Sequence, residues 1–458
     1  MGSEVTNMES IWSINGMKAG RPGKDLPEYA ENVVIGAGMA GILCAFLLRE
    51  AGCPVTVLEA ETIYSGQTKN TTAKITSQHG LIYSSLKEKF GEETACAYGR
   101  VEQKAIDEYE RIIKEKNVEC GFRRLPSFLY TGTDEGFGKL ELERTAAKKA
   151  GIPATIVYET DLPFPIRAAL KFERQAQFDP VRFLNALVPE LTVFEHTPVL
   201  RIRNQEVITD RGTVRAGNIV VATHFPFLNF PGFYFARMHQ ERSYVLAVET
   251  HDTNGPWKPE GMYYGIDGDG LSFRGAESLI LIGGKGHRTG VIPQEDPHRA
   301  LRSEAERLWP RFEEKAFWSA QDCMTLDQLP YIGLYGKRRP NLYVATGFGK
   351  WGMTNSMAAA AAIRDQILGR REPDWDVFSP QRRMKRAAFL SLAGQTVVTV
   401  RNFVTLNGPR CPHLGCRLKW NPHEQTWDCP CHGARFRKDG TVLDNPAQCG
   451  VKDEPGES

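Results

Sequence analysis

Four side chains near the end of the chain have the types and spacing of a metal centre. Cys411 and His413 stand two apart in CPHLGC, and Cys429 and His432 stand three apart in CPCHG, so each of two short loops offers one thiolate and one imidazole. Such a set suits a 2Fe-2S cluster in which one iron takes sulfur and the other takes nitrogen. Neutral imidazole in place of thiolate removes negative charge and raises the potential. Zinc also accepts two cysteines and two histidines, but zinc fingers keep the cysteines together and the histidines together, and here each loop mixes them. Cys416 and Cys431 are left over, one per loop. They could tie the loops as a disulfide, or stay as thiols in a reducing compartment. Cys449 and His423 read as incidental.

A second stretch, residues 33–59 (VVIGAGMAGILCAFLLREAGCPVTVLE), has the order a dinucleotide site needs: apolar strand, glycine turn, helix, strand, carboxylate. Gly36 permits the tight turn, Gly38 lets backbone approach a pyrophosphate, and Gly41 lets helix and strand pack closely. The helix opening at Met39 and Ala40 would turn its free N–H groups and positive dipole end toward the phosphates. Glu59 lies about twenty residues on, where a carboxylate can hold a ribose and disfavours a 2′-phosphate. The motif alone does not separate FAD from NAD. Residues 342–368 repeat the plan of strand, glycine loop and helix, with Gly347, Phe348, Gly349, Trp351, Gly352 and Met353 in the loop. Thr354, Asn355 and Ser356 are expected to cap an Ala-rich helix, and a helix N-terminus aimed at a flavin's N1 and C2 carbonyl would stabilise the anionic reduced ring.

The rest of the chain must position these two centres. At 458 residues it suits two or three domains. Its formal net charge of +2 implies no nucleic-acid footprint. No run of eighteen apolar residues occurs and the first residues lack a basic region followed by an apolar core, so a cytoplasmic protein without a transmembrane segment is expected. Residues 1–30 read as an arm, and the polar loop after Glu59 as functional. Residues 84–117 read as one or two amphipathic helices, and 179–188 as a further helix. Residues 198–224 give three strands with a hairpin turn at 210–212. Val199 at their head and Ala222 and Thr223 at their tail are candidates for a nucleotide contact. The β-rich stretch beyond looks like a substrate-side sheet, with GGKGHRTG as a turn and Arg242 and Arg274 at surface strand positions, or else binding a carboxylate. His79, Tyr331 and Trp351 could line the pocket, although a structural role suits His79 better. Residues 371–390 read as a charged, solvated linker.

With those residues in hand, roughly 392–447 resemble the Rieske iron–sulfur domain through C-x-H-x-G-C and C-P-C-H-G. The resemblance implies Cys411, His413, Cys429 and His432 as ligands and Cys416 with Cys431 as a bridge, while the strands before Cys411 look abbreviated. Residues 31–370 resemble FAD-dependent oxidoreductases of the D-amino-acid oxidase and glycine oxidase type, through GAGMAG, Glu59, IVVAT, TLDQLPYIG and NLYVATGFGKWGMT. That likeness implies an α/β fold: a Rossmann-like FAD-binding domain (about 31–120, 180–230 and 325–370) with an interleaved β-rich substrate domain (about 121–180 and 231–324), then an all-β Rieske domain at 391–458. It further implies that NTTAK, with Thr71, Thr72 and Ala73, and GFGKWGMT approach the flavin. Lys74 and Lys350 then become the charged residues expected at the ring, to hold a water at N5 or stabilise N1, unless each is merely a salt-bridged loop residue.

The function expected from both readings is oxidation of a small substrate, an amine or amino acid, at FAD. A 2Fe-2S cluster would carry the electrons off singly to an acceptor protein or quinone. An oxygen-using amine oxidase with an assembly or sensing cluster is the runner-up. A redox carrier or sensor without a small substrate is the reading from another class.

Overall fold

In this computed structural model the described residues are 9–13, 21–22, 25–251, 257, 259–268, 270–382 and 408–451. The first sheet is mainly parallel because its central strands carry apolar runs covered on both faces. Val33, Val34 and Ile35 in Tyr29–Ile35, and Ile219, Val220 and Val221 in Thr213–Val221, are all buried. The order runs Arg21–Pro22, Thr192–Phe194, Val55–Leu58, Tyr29–Ile35, Thr213–Val221, Glu206–Thr209, Val199–Arg203. Leu342–Thr346 runs parallel along the end of Thr213–Val221, and Tyr331–Leu334 pairs antiparallel with it. Helix Met39–Glu50 buries ten of its twelve residues. It lies against helix Gly352–Ile367, whose Ala358, Ala359, Ala360 and Ala362 are buried and leave room for that close approach.

The second sheet is mostly antiparallel, in the order Phe312–Thr325, Met238–Thr250, Leu279–Arg288, Ser272–Ala276, Met262–Gly265, Arg123–Thr131, Ala168–Gln177, Lys74–Ile75. Helices Ile82–Phe90 and Glu92–Glu115 break at Gly91, whose φ of 98° is open to glycine at little cost. The third sheet is a four-stranded antiparallel meander: Lys419–Asn421, Thr426–Asp428, Arg435–Arg437, Val442–Asp444.

Several sequence expectations are corrected here. Gly283, Gly284 and Gly286 lie inside the strand Leu279–Arg288 instead of forming a turn, because the run pairs with Met238–Thr250 through a bulge that tolerates them. The Ala-rich helix starts at Gly352, and Thr354 does not cap it; its hydroxyl donates to Thr76 O at 2.8 Å and accepts from Thr76 N–H at 3.0 Å. The head of the charged linker is not solvated. Trp375 and Phe378 pack into the core, and Arg382 forms an ion pair with Asp327 at 2.7 Å. In the N-terminal arm, Ile11 and Trp12 are buried. The strands expected just before Cys411 fall largely outside the described residues.

Candidate functional site

The glycine turn leads into a cavity of about 1420 Å³. Gly36 has φ of 100°, and a Cβ there would lie 2.6 Å from Ala222 O. At Gly41 a Cβ would overlap Gly36 O, so this glycine packs beneath the turn and is not part of the lining. Gly36, Gly38, Met39, Ala40, Glu59, Thr71, Thr72, Val199, Ala222, Thr223, Phe348, Gly349, Trp351, Gly352 and Met353 all line the cavity. Ala73, Gly347 and Thr354 do not, and act from behind it: Ala73 is fully buried, and at Gly347, with φ of 73°, a Cβ would run into Thr325 Cγ2. Glu59 accepts from Ala37 N–H at 2.6 Å and Glu61 N–H at 3.0 Å, and burial raises its pKa. The first helical N–H, of Met39, donates to Thr68 Oγ1 at 2.8 Å. The size of the space and the lack of room for side chains at the turn fit an extended dinucleotide.

Both candidate lysines reach the cavity, in opposite electrostatic settings. Burial, with Arg274 nearby, lowers the Lys74 pKa to about 7, and no hydrogen bond or ion pair engages its amine among the described residues. Burial would also lower Lys350, but Asp322, Tyr264 and Glu241 more than offset it and raise its pKa; its ammonium lies 3.5 Å from Glu241. Asp322, paired across the strands with Glu241, also lines the cavity, and burial raises its pKa to about 7. Sequence reasoning missed Asp322; the signal was a carboxylate between the buried Gln321 and Cys323 of the strand Phe312–Thr325.

Arg242 and Arg274 are not at the surface: both are 2% exposed. Arg274 is spent on backbone, donating to Thr72 O and Ala73 O at 2.7 Å each, which fixes the loop beneath Lys74. Arg242 does bind a carboxylate bidentately, but that of Glu424. His79 is satisfied, accepting from Tyr98 OH and donating to Thr76 O at 2.5 Å each and stacking on Trp351 at 4.8 Å. Tyr331 does not line the cavity; it is sandwiched between Arg237 and Arg382, each 4.1 Å from its ring.

At the cysteine–histidine loops the four expected ligands converge. Cys411 and Cys429 are 1% exposed and hydrogen-bonded to each other, which pushes the first thiol up and holds the second down at about 7. His413 and His432 have ring centroids 5.0 Å apart, and burial lowers their pKa values to about 4 and about 3, so both imidazoles are neutral. Each leaves its Nδ1 buried and without a hydrogen-bond partner. Two orphaned imidazole nitrogens and two paired thiols on the same two loops are what a mixed-ligand diiron cluster would satisfy. Cys416 and Cys431 form a disulfide between the loops.

The two centres share their walls. Gln240 donates to His432 O at 2.8 Å and Asn445 O at 2.9 Å, Gln321 to Gly433 O at 2.7 Å, and Arg288 to Cys431 O at 3.3 Å. Asn229 Oδ1 accepts from His413 Nε2 at 2.9 Å. From the other side, Arg435, Asp444, Asn445, Ala447 and Gln448 line the same cavity as the glycine turn. These contacts join residues far apart in sequence and gave no local signal.

A nucleotide cavity between a parallel and an antiparallel sheet, with a cysteine–histidine centre hung on its wall, defines a flavoprotein oxidoreductase with an attached iron–sulfur module. The chain belongs to the FAD-dependent oxidoreductase family, whose model matches residues 32–366, and carries a Rieske [2Fe-2S] domain matching residues 375–455. Its cofactors are FAD and a 2Fe-2S cluster. It is 32% identical to the Bacillus subtilis strain 168 protein YhfW, named as a Rieske 2Fe-2S iron-sulfur protein, over 96% of both chains. Among solved structures, glycine oxidase from Geobacillus kaustophilus has a TM-score of 0.66 at 18% identity, covering 78% of this chain and all of its own (100%). L-amino acid deaminase from Proteus vulgaris has 0.65 at 17% identity, covering 80% of this chain and 100% of its own. No helix among the described residues is long and apolar enough to cross a membrane.

Proposed function

We propose that this protein oxidises the C–N bond of a small amine or amino acid in the shared cavity and exports the electrons singly through the Rieske domain. The carrying observation is that the segment Cys431–Gly433 hangs on side chains of the strands that wall the cavity, so substrate chamber and cluster site are one construction. The structures named for glycine oxidase and L-amino acid deaminase support the choice of substrate class.

When bound, FAD supplies a two-electron acceptor and the 2Fe-2S cluster a one-electron acceptor. The residues of the chain handle binding and protons. Lys74, with a pKa near 7, takes the proton from a substrate ammonium, leaving the neutral amine from which hydride departure is feasible. Lys350, held charged by Asp322 and Glu241, places a fixed positive charge where negative charge develops. Trp351 and Tyr264, both lining the cavity, wall off water. Cys411, Cys429, His413 and His432 would hold the cluster, and Asn229 orients His413 from the flavoprotein side.

Anaerobic titration of the full chain with a panel of amines and amino acids tests the reading. The expected result is flavin bleaching accompanied by reduction of the cluster. Substrate-driven bleaching that never reduces the cluster, together with oxygen consumed in step with turnover in a parallel aerobic assay, would instead support a direct oxidase.

A further inference from the structure

Residues 228–235 (LNFPGFYF) form an apolar turn beside the cluster loops. Three phenylalanine rings pack on one another there, with centroids 4.9 Å apart for Phe230 and Phe233, 6.2 Å for Phe230 and Phe235, and 6.1 Å for Phe233 and Phe235. Phe235 meets His432 edge-on at 5.9 Å, and Asn229 of the same turn accepts from His413. The outer two rings face solvent, Phe230 being 66% and Phe233 49% exposed. Neighbouring large aromatics left in water mark a contact surface.

The turn is braced from behind by a basic one. Tyr335 OH donates to Leu228 O at 2.5 Å, and a Cβ on Gly336 would lie 3.1 Å from Pro231 Cγ. This brings Lys337 and Arg338 to the rim of the phenylalanine turn. Both are exposed, with no ion-pair partner among the described residues. The patch is continuous with the contact between flavoprotein body and cluster domain through Phe235 and Asn229.

We propose that this turn docks on a membrane surface bearing anionic lipid, with Phe230 and Phe233 entering the headgroup boundary and Lys337 and Arg338 meeting the lipid charge. Aromatic rings beside lysine and arginine are the composition of an interfacial anchor. Two protruding rings on one turn offer much less than the roughly 800 Å² per partner that a stable protein complex buries, whereas a bilayer can take up such a wedge. The inference stands on the surface alone: vesicle binding can fail while flavin-to-cluster transfer holds, and the reverse.

The test is vesicle flotation of the full chain loaded with FAD and cluster, using phosphatidylcholine alone and phosphatidylcholine with one-third phosphatidylglycerol. Binding to the anionic vesicles at least about tenfold above the neutral ones is expected. Phe230→Ser/Phe233→Ser and Lys337→Glu/Arg338→Glu should each reduce it severalfold while flavin absorbance and the cluster's EPR signal stay unchanged. Failure of the parent chain to float, or equal flotation of the Phe230→Ser/Phe233→Ser variant, would overturn the proposal. Loss on charge reversal alone, with the Phe230→Ser/Phe233→Ser variant still floating, would mean adsorption by charge without entry of the rings and would overturn it as well.

Discussion

Lys74 and Asn229 each tie one centre to a measurable property. The Lys74 amine is depressed by burial, and next by Arg274, to about 7. A base must be unprotonated, so kcat/KM is expected to rise as pH increases through about 7 and to level off above it. Lys74→Met should remove that limb and lower kcat/KM about a hundredfold or more, which a pH–rate profile reads directly. Asn229→Ala removes the acceptor on His413 Nε2. It should weaken cluster retention about 10- to 100-fold, seen as a lower iron-to-flavin ratio and a changed EPR signal, with the flavin spectrum intact. The glycine turn and the four cluster residues were legible in the sequence because their chemistry is written within a few residues of one another. Asn229, Asp322 and Gln240 were not, since each acquires its role only when strands or turns meet.

At the scale of elements, the pairing of helix Met39–Glu50 with helix Gly352–Ile367 holds both glycine loops against the cavity. The sequence showed both helices, and the alanine run foretold close packing. It misplaced the second helix's start because Thr354, Asn355 and Ser356 look like a cap when read locally. Tertiary contact decides otherwise: Thr354 is taken by Thr76, 278 residues away. Ala359 is fully buried on the second helix. Ala359→Leu is therefore expected to overpack the contact and destabilise the flavoprotein domain by about 1–3 kcal/mol, measurable by thermal unfolding, with faster loss of FAD because the loop at Gly349 to Gly352 shifts with the helix.

For the whole molecule, the decisive contact is the buried charge cluster between domains, invisible in sequence because Arg242 and Glu424 are 182 residues apart. Both side chains are 2% exposed. Glu424 also accepts from Tyr244 OH at 2.6 Å and pairs with Arg435 at 2.7 Å, and Arg435 bonds Asp428 and Asp444 at 3.0 Å each. Removing one partner of such a network leaves charge buried and uncompensated, at a cost of about 3–5 kcal/mol. Glu424→Gln is thus expected to loosen the Rieske domain from the flavoprotein body, read as faster limited proteolysis between the domains and slower reduction of the cluster by reduced flavin. The sign of the pH dependence follows from the same contacts. Burial alone would raise the Glu424 pKa, but Arg242 and Arg435 outweigh it and hold the carboxyl well below its ordinary 4.5. A depressed folded-state pKa gives stability that is complete above the unfolded value and lost as pH falls toward the folded one. The difference between the parent chain and Glu424→Gln should be full at neutral pH and shrink in acid below about 4.5, while Glu424→Gln itself should lose the share of stability due to this carboxylate at every pH. A difference that stayed constant from neutral pH into strong acid would mean that the carboxylate's charge does not hold the domains together.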